Sequence, residues 1–203
     1  IDFGYELPGV ARYRANFFRQ ANGIGAVFRL IPNPVLTADQ LGLPRVVTQL
    51  AMLQKGLVLV TGPTGSGKST TLAAIIDYAN NRRKDHIITI EDPIEFMHLS
   101  QGCIINHREV GRHTRSFASA LRASLREDPD IILVGEMRDL ETIQLAIEAA
   151  STGHLVFGTL HTQSASKTVD RIIDVFPANQ QEQIRASLSD TLKAVVAQTL
   201  FKR

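Results

Sequence analysis

The sequence predicts an α/β fold in which a parallel β-sheet is covered by helices on both faces. The first observation behind this prediction is a series of short, continuous apolar runs, at residues 57–60, 87–90, 131–134 and 155–160. The second is a set of helical patterns between these runs, with an apolar residue at every third or fourth position, as in Leu140, Ile143 and Ile147. Strands that are buried on both faces show continuous apolar runs, and the helices that cover them are amphipathic.

The chain has the composition of a globular protein. Of its 203 residues, 44% are hydrophobic and 21% are charged, values that exclude a disordered tail, a collagen-like repeat and a coiled coil. The net charge of +2 favours neither nucleic acid nor a membrane surface as a partner. The single cysteine, Cys103, excludes an internal disulfide and is typical of a reducing compartment.

Two features concern where the protein resides. No apolar run approaches the roughly 18 residues that a membrane-spanning helix requires. The chain starts at Ile1 without a basic and then apolar segment, so no signal peptide is predicted, and we expect residues before Ile1 in the natural protein. The expected location is therefore the cytoplasm.

The first 31 residues predict two or three antiparallel strands. Residues 10–18 alternate with the period of a half-buried strand, which puts Arg12 and Arg14 on the same face. The segments on either side, 2–6 and 26–31, have weaker strand patterns, and a glycine-containing turn precedes the second of them.

A stiff Pro-Asn-Pro break at residues 32–34 predicts a domain boundary. Residues 1–33 are interpreted as the C-terminal part of an N-terminal domain with its linker. Residues 34–203 are interpreted as the second domain, and we expect it to continue beyond the last residue given.

Further helices are predicted outside the repeating strand and helix units. A short helix is expected to start at Thr37, and a second to cover residues 44–54. Residues 179–201 show one long helical pattern, broken at most once, that includes Leu188 and Val195.

A phosphate loop follows the first apolar run. The motif G-x-x-x-x-G-K-[ST] is matched in every fixed position by Gly62, Pro63, Thr64, Gly65, Ser66, Gly67, Lys68 and Ser69, with Thr70 as the next residue of the predicted binding set. The backbone N–H groups of such a loop, and of the helix that follows it, bind nucleotide phosphates. Lys68 is predicted to reach the β- and γ-phosphates, and the Ser69 hydroxyl to ligate Mg²⁺. ATP and Mg²⁺ are therefore the expected cofactors.

An acidic residue follows the apolar run at 131–134. Glu136 lies just beyond the carboxyl end of that predicted strand, where ligands bind in open α/β sheets. Gly135 stands where phosphate-loop enzymes usually have the aspartate that holds Mg²⁺ through a water molecule. Glu136 is our candidate for polarising the attacking water, with a water-mediated contact to Mg²⁺.

A second acidic segment follows the apolar run at 87–90. Glu91, Asp92 and Glu95 place three carboxylates at the end of that predicted strand. Such a cluster is costly unless a cation or a basic group neutralises it. A solvated acidic turn is the alternative interpretation.

Two histidines bracket the run at 155–160. His154 precedes it and His161 follows it, and a separation of seven residues spans about 23 Å along a strand. They cannot be ligands of one metal ion. His161 is a candidate sensor of the γ-phosphate, and His154 a candidate interface residue; a purely structural role is the alternative for each.

Arginines of the opening strands form another candidate group. Arg12, Arg14 and Arg29 could deliver guanidinium groups to a γ-phosphate from a neighbouring domain, or lie on a solvated strand face. A second basic series forms either a subunit interface or an ordinary surface, and consists of Arg108, Arg112, Arg115, Arg122 and Arg126.

Taken together, these residues resemble the secretion superfamily of hexameric ATPases. Its motifs are the phosphate loop, an acidic box, an atypical second acidic motif and a histidine box, here at residues 62–69, 90–96, 134–139 and 152–162. Within the superfamily the chain looks most like the PilT-type retraction ATPases of type IV pili, through residues 116–122, 125–130 and 171–177. The resemblance extends over the whole chain.

The resemblance implies a RecA-like nucleotide-binding core preceded by a small PAS-like α+β domain. It implies site roles for Lys68 and Ser69 as nucleotide and Mg²⁺ ligands, Glu136 and Glu95 as catalytic carboxylates, His154 and His161 as the histidine pair, and Arg12, Arg14 and Arg29 as arginines presented to the nucleotide. His107 departs from the pattern, because the family commonly has glutamine at this position.

The implied function is ATP hydrolysis by a homo-hexamer that powers pilus retraction and hence twitching motility. The implied partner is a platform protein of the inner membrane, which would hold the motor at that membrane from the cytoplasmic side. No direct contact with nucleic acid is expected.

Three alternatives remain open on the sequence. The protein could be the assembly or secretion ATPase of a related system. It could be a nucleotide-binding accessory subunit that hydrolyses little ATP. A DNA-handling motor is the third alternative, and the near-neutral charge disfavours it.

Overall fold

The computed structural model describes residues 1–31 and 35–201. The Pro-Asn-Pro break at 32–34, on which the predicted domain boundary depends, lies outside the described residues, as do residues 202 and 203. The described residues form two separate sheets, one before the break and one after it. The division into two domains stays a prediction.

The first sheet is antiparallel and has three strands. They are β1 (Asp2–Leu7), β2 (Ala11–Gln20) and β3 (Gly23–Ile31), with β2 in the centre. Antiparallel strands in this part of the chain are thereby confirmed. Arg14 of β2 lies directly opposite Arg29 of β3, so the sheet brings two of the candidate arginines together.

The second sheet and its helices follow the break. In chain order the elements are α1 (Arg45–Leu50), β4 (Gly56–Thr61), α2 (Lys68–Asn80), β5 (His86–Glu91), β6 (Ile104–Glu109), α3 (Phe117–Ser124), β7 (Ile131–Val134), α4 (Leu140–Ser151), β8 (Leu155–Leu160), α5 (Ala165–Asp174), α6 (Gln181–Thr191) and β9 (Leu192–Ala197). Across residues 1–31 and 35–201, no helix is both long and apolar enough to cross a membrane.

The second sheet is parallel throughout, in the order β6-β5-β7-β8-β4-β9. Its four central strands are the four apolar runs from which the fold was predicted, and the α/β prediction is confirmed. Helices cover both faces: Leu57 and Leu59 of β4 belong to the apolar core on one side of the sheet, while Val58 and Val60 belong to the core on the other. Because successive side chains of a strand point to opposite faces, a strand between two cores is expected to be apolar on both faces.

The two edge strands were not predicted. Strand β6 contains Asn106, His107 and Arg108, and its Ile104 is 65% exposed, so its sequence lacks the apolar run of a central strand. It pairs with β5 along its whole length. An edge strand is solvated on one side, which permits a polar sequence.

The prediction of one long helix over residues 179–201 is wrong beyond Thr191. Helix α6 ends there, and the chain continues directly as β9, which pairs with β4. The β-branched side chains of Val195 and Val196 suit a strand, and the open edge of β4 supplies the hydrogen-bonding partner that favours it.

The helix predicted at Thr37 is also wrong. The chain makes a single turn there, in which the Thr37 and Gln40 side chains each accept a hydrogen bond from the backbone N–H of the other residue. Gly42, with φ of 64°, then turns the chain away. Reciprocal bonding of this kind is a helix-start signature, but a left-handed glycine ends the helix after one turn.

Helix α4 has a cap whose removal should be measurable. The carboxylate of Asp139 accepts hydrogen bonds at 2.8 Å from both the backbone N–H and the hydroxyl of Thr142, a fully buried residue. We expect Asp139→Ala to lower the free energy of unfolding by about 1 kcal/mol, because both donors lose their partner. Asp139→Asn retains one acceptor and is the control in chemical denaturation; equal losses in both variants would contradict the capping role.

Candidate active site

The phosphate loop connects β4 to α2 at the carboxyl end of the sheet. Gly62 has φ of 148°, and a Cβ atom there would lie 2.2 Å from the Gln198 carbonyl oxygen, so only glycine fits. Gly67, with φ of 86°, is the residue before the first turn of α2. The glycines of the motif are thus required by the backbone path itself.

The amino end of α2 is open to an anion. Side chains cap α3, α4 and α5, where Ser116, Asp139 and Ser164 accept a hydrogen bond from the first turn. The equivalent position of α2 is Gly67, which has no side chain to do so. The backbone N–H groups of the first turn therefore remain available, and together with the helix dipole they favour a phosphate.

Lys68 is held inside the loop. Its Nζ donates hydrogen bonds to the carbonyl oxygens of Gly62 at 2.9 Å and Pro63 at 3.0 Å, and the residue is 9% exposed. Burial lowers the pKa of this ammonium, while the carboxylates of Glu136 and Glu95 act in the opposite direction. The buried ammonium is the favourable partner for a phosphate oxygen at this position.

A cleft of about 650 Å³ opens above the loop. It collects residues from the phosphate loop, the acidic segment, the ends of two central strands and the first sheet. Its lining includes Thr64, Gly65, Gly67, Lys68, Ser69, Thr70, Glu91, Asp92, Glu95, Glu136, His161, Arg14 and Arg29. Most of the predicted site residues are therefore brought together in one cavity.

Glu136 lies between two basic side chains. Its carboxylate forms an ion pair with Arg138, and its Oε1 is 2.8 Å from Nε2 of His161. Burial tends to raise the pKa of Glu136, but the hydrogen bonds and charges of Arg138 and His161 outweigh it and hold the pKa below its usual value. Glu136 is thus ionised at neutral pH and is oriented by its neighbours.

The acidic segment approaches Glu136 and Lys68 from the end of β5. Glu95 is 3.8 Å from a guanidinium nitrogen of Arg14. The Arg14 guanidinium also donates to both carboxylate oxygens of Asp2, at 3.3 Å to Oδ1 and 2.6 Å to Oδ2. The first sheet therefore contacts the acidic side of the cleft through Arg14, while Asp92 of the same segment is exposed.

The comparisons with known proteins agree with this geometry. The sequence matches the type II/IV secretion system protein family over residues 13–203. The chain belongs to this family.

Individual relatives are similar to the secretion-family chain along its full length. It is 62% identical over 202 residues to the type IV pilus retraction ATPase PilT of Pseudomonas aeruginosa, covering 100% of this chain and 59% of that protein. It is 60% identical over 202 residues to the twitching motility protein of Neisseria gonorrhoeae, covering 100% of this chain and 54% of that protein. The chain therefore spans a little more than half the length of these relatives.

A solved structure gives the same result for the fold. The crystal structure of the pilus retraction motor PilT with bound ADP matches this chain with a TM-score of 0.92 at 56% identity, covering 96% of this chain and 57% of that one. The family resemblance predicted from the motifs is confirmed.

Three residues of the loop motif lie outside the lining of the cleft. Gly62 and Pro63 accept the hydrogen bonds of Lys68, and Ser66 is 3% exposed. Gly62 and Pro63 therefore position the Lys68 side chain within the loop of this secretion-family protein.

Two further candidates are placed elsewhere. His154 precedes β8, at the end of that strand away from the cleft, and its Nδ1 is 3.0 Å from the carbonyl oxygen of Ala149. Arg12 pairs with the buried Glu109 at 3.9 Å and does not line the cleft. The geometry supports no catalytic role for either residue in the cleft of this chain, and an interface role for His154 stays a prediction.

The second basic series is not part of the cleft. Arg108 bonds to Glu127, and Arg122 bonds to Glu141 on α4. These pairs leave the choice between a subunit interface and an ordinary surface open.

His107, which departs from the family pattern, lies behind the acidic segment. Its Nδ1 is 2.7 Å from the Thr89 hydroxyl, and its ring stacks on that of His98 at 5.9 Å. Burial lowers the pKa of His107. Burial and the neighbouring His107 ring lower the pKa of His98 to about 4. Both rings are therefore neutral at neutral pH and connect β6 to the end of β5.

Sequence reasoning assigned no role to several residues of the site. Arg138 falls within the second acidic motif at residues 134–139, and its position two residues after Glu136 is the available signal. Phe117 and Thr159 also line the cleft, but their sequence context is that of ordinary helix and strand residues. The Thr159 hydroxyl donates to the carbonyl oxygen of Gly135 at 2.5 Å and so fixes the strand end that precedes Glu136.

The buried carboxyl of Glu91 should make stability depend on pH. Burial raises its pKa from 4.5 to about 7 in the folded protein. The unfolded chain releases this proton near pH 4.5 and the folded chain near pH 7, so stability falls as pH rises through this window. The expected loss is about 3 kcal/mol. It should appear in chemical denaturation of the wild type between about pH 3.5 and about pH 8, which extends about one unit beyond the window on each side.

The matched variant is Glu91→Gln, which has the same size and does not titrate. The difference in unfolding free energy between wild type and this variant isolates Glu91 from other titrating groups. A difference that stays constant across the window would contradict the assignment.

Proposed function

We propose that the protein is a Mg²⁺-dependent ATPase that acts as a homo-hexameric ring and powers the retraction of type IV pili. The observation that carries the proposal is the convergence of Lys68, Glu136 and Arg14 in one cleft beside an uncapped helix. This convergence occurs in a chain whose 203 residues are covered in full by a match of 62% identity to a pilus retraction ATPase.

The donor set of the cleft fits a nucleoside triphosphate with Mg²⁺. The first-turn N–H groups of α2 and the Lys68 ammonium would bind phosphate oxygens. Ser69 would hold Mg²⁺ directly, and Glu136 through water. The bound ion would supply charge neutralisation on the phosphates during transfer.

Glu136 would orient and polarise the attacking water. Its lowered pKa keeps Glu136 in the ionised form that accepts hydrogen bonds. His161 limits the orientations of this carboxylate, because its Nε2 is 2.8 Å from Oε1 of Glu136. Because His161 is half exposed and lines the cleft, it is also placed to respond to the γ-phosphate.

Arg14 and Arg29 would stabilise charge on the transferred phosphoryl group. Each lines the cleft from the first sheet. We expect Arg29→Ala and Arg14→Ala each to lower kcat about a hundredfold, as the loss of an electrostatic stabiliser does. Steady-state hydrolysis measures this effect.

Two other arginines of β2 serve as controls. Arg19→Ala alters an exposed position and should leave kcat unchanged. Arg12→Ala should instead lower the free energy of unfolding, because it leaves the buried Glu109 without its cation. Equal kcat losses in all four variants would contradict the assignment.

The ring arrangement is tested by hydrolysis over a range of protein concentrations. In a ring whose active sites depend on neighbouring subunits, turnover per subunit rises with concentration as the ring assembles. No hydrolysis at any concentration, despite tight ATP binding and a confirmed ring, would favour the accessory-subunit alternative.

Retraction is tested in a cell that lacks its own retraction ATPase. Expression of the natural protein should shorten pili and restore twitching, whereas the Glu136→Gln variant should not. Longer or more numerous pili would favour an assembly ATPase. Recovery of retraction would also support the predicted platform partner and the location at the cytoplasmic side of the inner membrane.

A further inference from the structure

Gln198 contacts the phosphate loop from outside the cleft. It follows the edge strand β9, and its backbone N–H donates to the Thr61 carbonyl at 2.8 Å, which continues the pairing of β9 with β4. Its side-chain Oε1 accepts a hydrogen bond from the Thr71 hydroxyl at 2.9 Å. One residue therefore joins the edge of the sheet to the helix that follows the loop.

Thr71 lies in the first turn of α2 and is 3% exposed. Its N–H donates to the Gly67 carbonyl at 2.9 Å, the backbone bond that starts the helix. The Thr71 hydroxyl is buried, and its hydrogen-bond acceptor is Oε1 of Gln198. A buried hydroxyl that loses its partner is costly, so this bond constrains where the first turn lies.

Gln198 also occupies the space beside two glycines of the loop. Its carbonyl oxygen would lie 2.2 Å from a Cβ atom at Gly62, and its Nε2 would lie 3.0 Å from one at Gly67. Gly62 and Gly67 are the first and second fixed glycines of the motif. Gln198 is therefore in close contact with both ends of the loop that carries Lys68.

We propose that Gln198 is a positioning residue for nucleotide binding. Its contacts hold the phosphate loop in the shape that presents Lys68 and the first-turn N–H groups to the phosphates. Because the same residue is bonded to β4 as an extension of β9, a displacement of β9 moves the loop. This inference rests on the proposed function, since it requires a nucleotide in the loop.

The test measures ADP binding by titration calorimetry and thermal unfolding without nucleotide, both on the natural protein. Gln198→Met preserves the size of the side chain and removes the hydrogen bond, and Thr71→Val removes the same bond from the other side. Each variant should weaken ADP binding about tenfold. This is the factor expected when the free energy of one hydrogen bond no longer holds the loop in its binding shape. The double variant should also bind about tenfold more weakly than the wild type, not a hundredfold, because both changes delete one interaction.

Two further variants provide controls. Thr71→Ser retains the hydroxyl and should bind ADP as tightly as the wild type. Thr199→Val changes the exposed residue that follows Gln198 and should not alter ADP affinity. If Gln198→Met does not fold, Thr71→Val and Thr71→Ser decide the question from the other partner.

The outcomes separate the two proposals. Lower unfolding temperatures with unchanged ADP affinity would overturn the positioning role and leave a purely structural one. A hundredfold loss in the double variant would also overturn it, because the two residues would then act independently. A wild-type protein that does not bind ADP would overturn the proposed function itself.

Discussion

Replacement of Lys68 by alanine should abolish ATP hydrolysis and weaken nucleotide binding. The ammonium lies inside the phosphate loop, bonded to two carbonyl oxygens. A charge-assisted hydrogen bond to a phosphate contributes about 1.5–3 kcal/mol, so its loss should weaken ADP binding about a hundredfold. Hydrolysis should fall about a thousandfold, because the developing charge on the transferred group loses its stabilising cation.

The measurement is steady-state hydrolysis together with ADP titration. Lys84→Ala, which removes an exposed lysine after α2, is the matched control and should behave as the wild type. Circular dichroism of the Lys68 variant must show a folded protein, since two loop carbonyls lose their donor. Full nucleotide affinity in a folded Lys68→Ala protein would contradict the placement of phosphates in this loop.

Glu136→Gln should separate binding from chemistry. The amide keeps the size of the side chain and can still bond to Arg138, but it cannot polarise a water molecule as a carboxylate does. We expect kcat to fall about a thousandfold while ADP affinity remains close to that of the wild type.

Glu141→Gln on α4 is the control for this prediction. It removes a carboxylate that pairs with Arg122 on an exposed surface, and it should leave kcat unchanged. A Glu136→Gln protein with near wild-type turnover would move the water-orienting role to another carboxylate of the cleft, with Glu95 the first candidate.

The sequence alone was sufficient for the four central strands and for the phosphate loop. The central strands are buried on both faces, so nearly every position in them is apolar, and runs of four to six such residues between helical patterns are typical of strands in a covered parallel sheet. The loop motif is similarly local: the positive φ angles, the uncapped helix and the lysine all occur within eight consecutive residues. Family membership followed from these motifs and was confirmed.

The edges of the sheet depended on tertiary pairing. Strand β6 is polar and half solvated, and β9 has a pattern that also fits a helix, so their local sequences do not distinguish between strand and other structures. Each becomes a strand because a central strand offers an unpaired row of backbone groups beside it. Thr37 shows the reverse case, where a correct helix-start signal is cancelled by a glycine five residues later.

The composition of the site also depended on the tertiary structure. Charge and spacing identified Arg12, Arg14 and Arg29 as one group, but only the packing of the first sheet against the acidic segment placed two of them in the cleft and paired the third with Glu109. His154 and His161 share a motif, yet a strand runs between them and separates their surroundings. Gln198 lies more than a hundred residues from Thr71. Local patterns determined the central strands and the phosphate loop. The edge strands and the contacts between distant segments are set by how the elements pack, and this packing decided the members of the site.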